Sequence, residues 1–269
     1  MDWEKLERSI IMGEQELTIL TLLAGRWNTM EAYFWGLDII KYPKKLINLL
    51  YVSNSDSRDF KDFFQQKLNK LIGYNSIRFV ETDIVAPSKN AFIEQGKHLQ
   101  EHSLAIAKMY NLAYSYLFTD WFLCLEDDVI APSNTMELFK CYDDTTGYAC
   151  GEYMGRHNEG LFIFDLKYKK TFGDDDACSE RQWYGDELRN PYGKKEIGMG
   201  HLGLTLLNRN ILEKLPKPIF KADSSLGCSG AILGCDIVPC LEIAHILKLK
   251  RICDFDIRGL HMDSCGKIH

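Results

Sequence analysis

The densest chemistry in this 269-residue sequence is the run Glu126-Asp127-Asp128. It follows the short apolar stretch Trp121-Phe-Leu-Cys-Leu125 without a spacer. A stretch that short, apolar and aromatic-rich predicts a buried strand, so the three acids stand at its carboxyl end. In open α/β sheets that end is where ligands bind. Three neighbouring carboxylates repel one another until a cation neutralises them, and hard oxygen donors suit Mg²⁺ or Mn²⁺. The triplet therefore reads as a metal–phosphate site. The alternative is an acidic turn that water alone solvates.

Other chemistry-bearing residues fall at similar places. Arg26 follows the apolar run Leu17–Leu23, where it can reach a base or a phosphate. Asp56 and Asp83 follow the next two apolar runs and can accept hydrogen bonds from a base or ribose. Asp236 opens an apolar helical stretch; it is a candidate general base, and equally a plain N-cap. Glu152 and Asp186 are further candidate bases. A second triplet, Asp174-Asp175-Asp176, lacks a preceding strand and reads as solvated. Trp183 and Tyr184 in the same stretch can stack on a sugar ring or simply anchor a loop.

The elements that must position these residues are legible as a rhythm. Leu17–Leu23 predicts a first strand, and Asn28 with Glu31 predicts a capping box opening a helix through Ile40. Leu46–Val52, a helix over Asp59–Ile72, and a strand over Ile77–Glu81 follow. After a loop over Asp83–Gly96, the spacing of Leu99, Ile106, Tyr110 and Ala113 predicts a helix over His98–Leu117. Alternating strands and helices imply a mostly parallel sheet covered by helices. The second half is less regular. A helix is expected from Ser133, strands at Tyr148–Cys150, Leu161–Phe164, Leu204–Leu207 and Arg251–Phe255, and helices over Asn210–Leu215 and Asp236–Leu249. Phe172–Ile197 reads as one long connection and Gly259–Met262 as a tail. No repeat or linker interrupts the chain, so one domain is expected over residues 1–269, with halves at 1–130 and 131–269.

Composition sets outer limits. Apolar residues make up 46% and charged residues 26%, as in an ordinary globular protein. The net charge of −6 gives no global field for nucleic acid. No apolar run approaches the roughly 18 residues that span a bilayer, and Met1–Arg8 lacks the order of a signal peptide. Nine cysteines without a CxxC predict reduced thiols in a cytoplasmic setting. Cys228, Cys235 and Cys240 match no zinc-ligand spacing.

The ordered set resembles nucleotide-sugar glycosyltransferases of the GT-A fold, especially glycosyltransferase family 2. The set comprises the strand ending at Ala24-Gly25-Arg26, the Tyr42-Pro43 break, the strand into Val52-Ser-Asn-Ser-Asp56 and the helix with Ala107-Lys-Met-Tyr-Asn111. Leu125-Glu-Asp-Asp-Val129, Gly234-Cys-Asp236 and His261 complete it. The likeness spans Leu17 to His261. It implies a Rossmann-like α/β sheet and the transfer of a sugar from a nucleoside-diphosphate sugar, with UDP favoured, to a hydroxyl on a carbohydrate or other acceptor. It implies Mn²⁺ or Mg²⁺ held by Asp128, Glu126 and His261, with Asp127 turned toward the chain. The nucleotide would meet Ala24, Arg26, Asn54, Asp56, Asp83, Lys108, Asn111, Glu126 and Asp127. Asp236 would be the base of an inverting reaction, with Glu152 and Asp186 behind it. Three positions depart from the family pattern: Ser53-Asn54 where an aspartate is usual, Glu126 for the first aspartate, and Cys235 for an acid. A nucleotidyltransferase also uses strand-end carboxylates, but Ala24-Gly25-Arg26 is poor in glycine and lysine for one. A non-catalytic nucleotide- or carbohydrate-binding module is the other alternative, and a modified DNA base is a conceivable acceptor.

Overall fold

The computed structural model describes residues 15–85, 97–153, 192–222, 237–263 and 267–268. The expected strands at Leu161–Phe164, the Asp174–Asp176 triplet, and the candidate bases Asp186 and Asp236 lie outside the described residues, as do Cys228 and Cys235.

Leu17–Leu23 forms β1, and all but one of its residues are buried. Strands covered on both faces need such continuous apolar runs. Trp27–Ile39 forms α1, Ile47–Ser53 β2, Arg58–Leu68 α2, Ser76–Glu81 β3, Lys97–Ser115 α3 and Trp121–Leu125 β4. After β4 come the two-residue strand β5 (Val129–Ile130) and a 3-10 segment over Thr135–Cys141. Then follow β6 (Thr146–Glu152), β7 (Lys194–Glu196), β8 (Leu204–Asn208), α4 (Arg209–Leu212), α5 (Ile237–His245), β9 (Lys250–Arg258) and β10 (Leu260–His261).

Eight strands form one sheet in the order β3-β2-β1-β4-β8-β6-β9-β7. The pairs β3–β2, β2–β1, β1–β4 and β6–β9 are parallel; β4–β8, β8–β6 and β9–β7 are antiparallel. Only β8 and β7 therefore run against the rest, and the sheet is mostly parallel. Side-chain alternation divides the core into two layers. Ile19, Tyr51 and Leu123 face Met30, Tyr33 and Leu37 of α1 and Phe60 and Phe64 of α2. Leu20, Leu50, Phe122 and Cys124 face Tyr110 and Ala113 of α3 and Ile243 of α5.

Several expected boundaries shift for identifiable reasons. Helix α1 begins at Trp27 with Arg26, in an extended conformation, as its N-cap. Asn28 is therefore inside the first turn, and Glu31 pairs with Lys67 of α2 rather than closing a capping box. Helix α2 starts at a real cap: the Ser57 hydroxyl accepts from the Phe60 amide at 3.2 Å, and it ends at Leu68 rather than Ile72. The helix expected from Ser133 is 3-10 in geometry. The long connection ends in an edge strand, because Lys194–Glu196 pairs with β9. The expected tail is a strand: Leu260 and His261 pair with Ile130 and Val129.

Candidate metal and nucleotide site

The parallel strands deliver their carboxyl ends to one edge. Ala24–Arg26, Asn54, Asp83, Glu126–Asp128 and Tyr153 follow such ends, and Glu152 is the last residue of β6. The acidic triplet sits in the bend between β4 and β5, whose geometry its backbone fixes. The Glu126 amide donates to the Gly203 carbonyl at 3.0 Å, and the Val129 amide to the Glu126 carbonyl at 3.1 Å.

The three acids have different surroundings. Asp127 turns inward, accepting from the Ala24 amide at 3.1 Å and from Arg26 Nη1 at 3.0 Å. Arg26 Nη1 also donates to Asp128 Oδ2. Burial opposes the charge on Arg26, but Asp127, Asp128 and Glu126 together hold its pKa above the usual arginine value. Asp128 is 2% exposed and His261 3%. His261 Nε2 lies 3.5 Å from Asp128 Oδ2. Pairing of β10 with β5 explains the meeting, since the Met262 amide donates to the Asp128 carbonyl at 2.8 Å. Glu126, Asp128 and His261 each offer one donor atom, and these atoms lie within 4.8 Å of one another. Two carboxylates and an imidazole make a mixed oxygen and nitrogen set, which Mn²⁺ accepts. The residues present thus fit a divalent cation.

Behind these donors stands a group that sequence reasoning did not single out. The Tyr153 hydroxyl donates to Glu126 Oε2 at 3.4 Å. Its ring centre lies 5.3 Å from that of His261 and 4.0 Å from that of His201. Burial drives the His201 imidazole down to about 3, with His261 adding to the fall, so His201 is neutral. Gly203 makes room for Tyr153: a Cβ there would stand 2.3 Å from the Tyr153 hydroxyl and 2.9 Å from Glu126 Cδ. Two local signals point to this group. Tyr153 follows β6 one residue past its end, and the glycine-rich Gly198–Gly203 run precedes β8.

The remaining expected nucleotide residues divide. Gly25, at φ +77°, turns the chain out of β1 close to Ser55. Asp56, Asp83 and Lys108 are exposed. Asn54 spends its amide on the Ile84 carbonyl at 3.2 Å. Asn111 is committed elsewhere: it donates to the Ala107 and Phe220 carbonyls and accepts from the Phe220 amide at 3.2 Å. Its amide is a clamp between α3 and the Phe220 backbone. On the other side of the edge, Glu152 is buried, with Arg258 Nε at 3.8 Å. Burial raises its carboxyl pKa, with Arg258 opposing. Cys124, Cys141, Cys150, Cys240 and Cys253 are free and buried. Among the described residues, no helix is long and apolar enough to cross a membrane.

No family model matches the sequence, and no curated protein sequence matches it. The fold has counterparts among solved structures. The mannosyltransferase PcManGT from Pyrobaculum calidifontis, in complex with GDP-Man and Mn²⁺, is 12% identical, with a TM-score of 0.56 over 91% of this chain and 56% of that one. S. aureus TarS is 9% identical, with a TM-score of 0.51 over 91% of this chain and 36% of that one. The chain therefore spans about half the length of the first and about a third of the second. At such identities the likeness concerns the fold, and the chain has a GT-A-like glycosyltransferase fold.

Proposed function

We propose that the protein is a metal-dependent glycosyltransferase that moves a sugar from a nucleoside-diphosphate donor to a hydroxyl acceptor. The observation that carries this reading is the convergence of Glu126, Asp128 and His261 within 4.8 Å. They meet at the carboxyl edge of a GT-A-like sheet, where such folds place ligands. PcManGT, with the same fold, carries GDP-Man and Mn²⁺.

Asp128, Glu126 and His261 would hold the ion, Mn²⁺ suiting their donor set. When bound, such an ion neutralises the charge that develops on a departing diphosphate. Asp127 keeps the bend in shape through the Ala24 amide. Tyr153 fixes the direction of Glu126 and packs against His261. Arg26 supplies a cation on the β1 side for phosphate oxygens. Gly25 and Ser55 shape the turn beside it, while Asp56, Asp83 and Lys108 stand exposed for base or ribose.

On the acceptor side, a carboxylate must take the proton of the attacking hydroxyl. Asp236 is the base that the motif order assigns; it lies outside the described residues, as does the reserve candidate Asp186. Glu152 is the described alternative, since a carboxyl with a raised pKa is the stronger base. Inversion, a donor with uridine, and residence in a reducing cytoplasm belong to the same reading. The buried free thiols support the last of these.

The test combines binding and turnover. A thermal-shift screen of nucleoside diphosphates and nucleotide sugars with Mn²⁺ identifies the donor, because a ligand that binds only the folded state raises stability. With that donor, transfer or slow hydrolysis should stop in excess EDTA and return with Mn²⁺. Activity undiminished in EDTA would refute the metal role. Donor binding without turnover on any acceptor would favour a binding module.

A further inference from the structure

We propose that Arg26 is an internal counter-cation that an incoming divalent ion displaces from Asp128, and that the released guanidinium then holds the donor's diphosphate. The inference rests on the metal reading above and adds an order of events to it.

The geometry sets up the exchange. Arg26 Nη1 forks between Asp127 Oδ1 and Asp128 Oδ2. Asp128 Oδ2 is also the oxygen 3.5 Å from His261 Nε2, so the guanidinium occupies the atom at which two of the three candidate ligands converge. A dication on that oxygen and a guanidinium on the same oxygen repel each other in a buried site. The ion therefore favours release of the guanidinium, and its three ligands offset the two ion pairs that Arg26 gives up.

The rest of the site permits Arg26 to leave. Asp127 keeps its bond from the Ala24 amide, so the bend does not lose its anchor. Arg26 stands at the N-cap of α1, and its side chain is 21% exposed. It can therefore swing outward by rotation of its own side chain, with no change in β1 or α1. It would swing toward the carboxyl edge of the sheet, beside the turn that follows β1. A guanidinium is suited to a diphosphate because its fork matches phosphate oxygens. The first turn of α1, immediately after Arg26, adds a favourable end of the helix dipole.

Two binding events are then linked. The ion alone must break the Arg26 pair, so it binds weakly. A diphosphate captures the freed guanidinium, so it strengthens ion binding, and the ion strengthens diphosphate binding by the same factor. Replacing Arg26 should move the two affinities in opposite directions, which no merely structural role predicts.

The experiment titrates the full chain and its Arg26→Gln and Arg26→Lys variants with Mn²⁺ alone, following free ion by electron paramagnetic resonance. Separate titrations add GDP or UDP at saturating Mn²⁺. Arg26→Gln should bind Mn²⁺ alone about tenfold more tightly and the nucleoside diphosphate about tenfold more weakly, a shift of about 1.4 kcal/mol in each. Arg26→Lys, which keeps the charge but loses the fork, should fall between it and the natural protein in both titrations, and it decides the matter if the glutamine variant does not fold. Unchanged or weaker Mn²⁺ binding by the variants overturns the exchange while leaving the metal reading intact. Failure of the natural protein to take up Mn²⁺, with or without nucleotide, overturns both.

Discussion

Gly203→Ala tests how far Tyr153 governs the metal donors. The new Cβ would lie 2.3 Å from the Tyr153 hydroxyl, 2.8 Å from Tyr153 Cζ and 2.9 Å from Glu126 Cδ. Unstrained carbon contacts begin near 3.5 Å, so the ring must retreat by about 1 Å. Overpacking on this scale costs about 1–3 kcal/mol. In a chain of this size each of those corresponds to a fall in Tm of about 2–4 °C. The retreat also breaks the bond to Glu126, which at 3.4 Å is already long, and shifts the ring against His261. Loss of a group that orients metal ligands costs about 10–100-fold in affinity, and we expect the lower end. Thermal denaturation with and without Mn²⁺, beside a Mn²⁺ titration, separates the two effects. The double variant Gly203→Ala/Tyr153→Phe, which removes the nearest atom, should be less destabilised than the two single changes summed. An alanine variant with the natural Tm and the natural Mn²⁺ affinity would show that Tyr153 moves freely and does not direct the site.

Asp128→Ala should leave a folded protein that neither takes up Mn²⁺ nor transfers sugar; residual metal-stimulated turnover would assign the ion elsewhere. Asn111→Ala should lower Tm by several degrees through loss of the Phe220 clamp, yet leave nucleotide affinity unchanged, as paired melting and binding curves would show. Glu152 predicts a pH effect with a definite sign. Its folded pKa is raised by burial, so the folded state holds the proton more tightly and stability falls as pH rises from the unfolded value toward the folded one. Glu152→Gln should therefore melt higher than the natural protein at pH 7, with the difference shrinking to zero below about pH 4; a constant difference across that range would exclude the titration of Glu152 as its cause.

Much of the fold was legible because parallel strands covered on both faces must be apolar throughout. β1 and β4 carry that signature, and the acids after β4 mark its end without help from the rest of the chain. What escaped was set by tertiary contact. Asn28 and Glu31 have the spacing of a capping box, but Arg26, tied to Asp127 and Asp128, sets the helix start two residues earlier than that box requires. Asn111 has the composition of a ligand residue, and only the Phe220 backbone beside it shows that it is a clamp. Tyr153, His201 and Gly203 meet across β6 and β8, which pair antiparallel over a span no local periodicity encodes. The place of His261 depends on two residues of pairing with β5, too short for any strand signal in sequence.

That short ribbon gives a bound ion a role in the architecture of the chain. Asp128 and His261 are 133 positions apart by their numbering, and a metal bound to both would close the intervening polypeptide into a ring. Such a clip removes loop-closure freedom from the unfolded chain, as a cross-link does. The segment from Gly259 is fastened to the acidic bend by β10 pairing and the Met262 amide. Occupancy of the site should therefore be read far from the chemistry, as slower amide exchange and slower proteolysis around Gly259–Asp263.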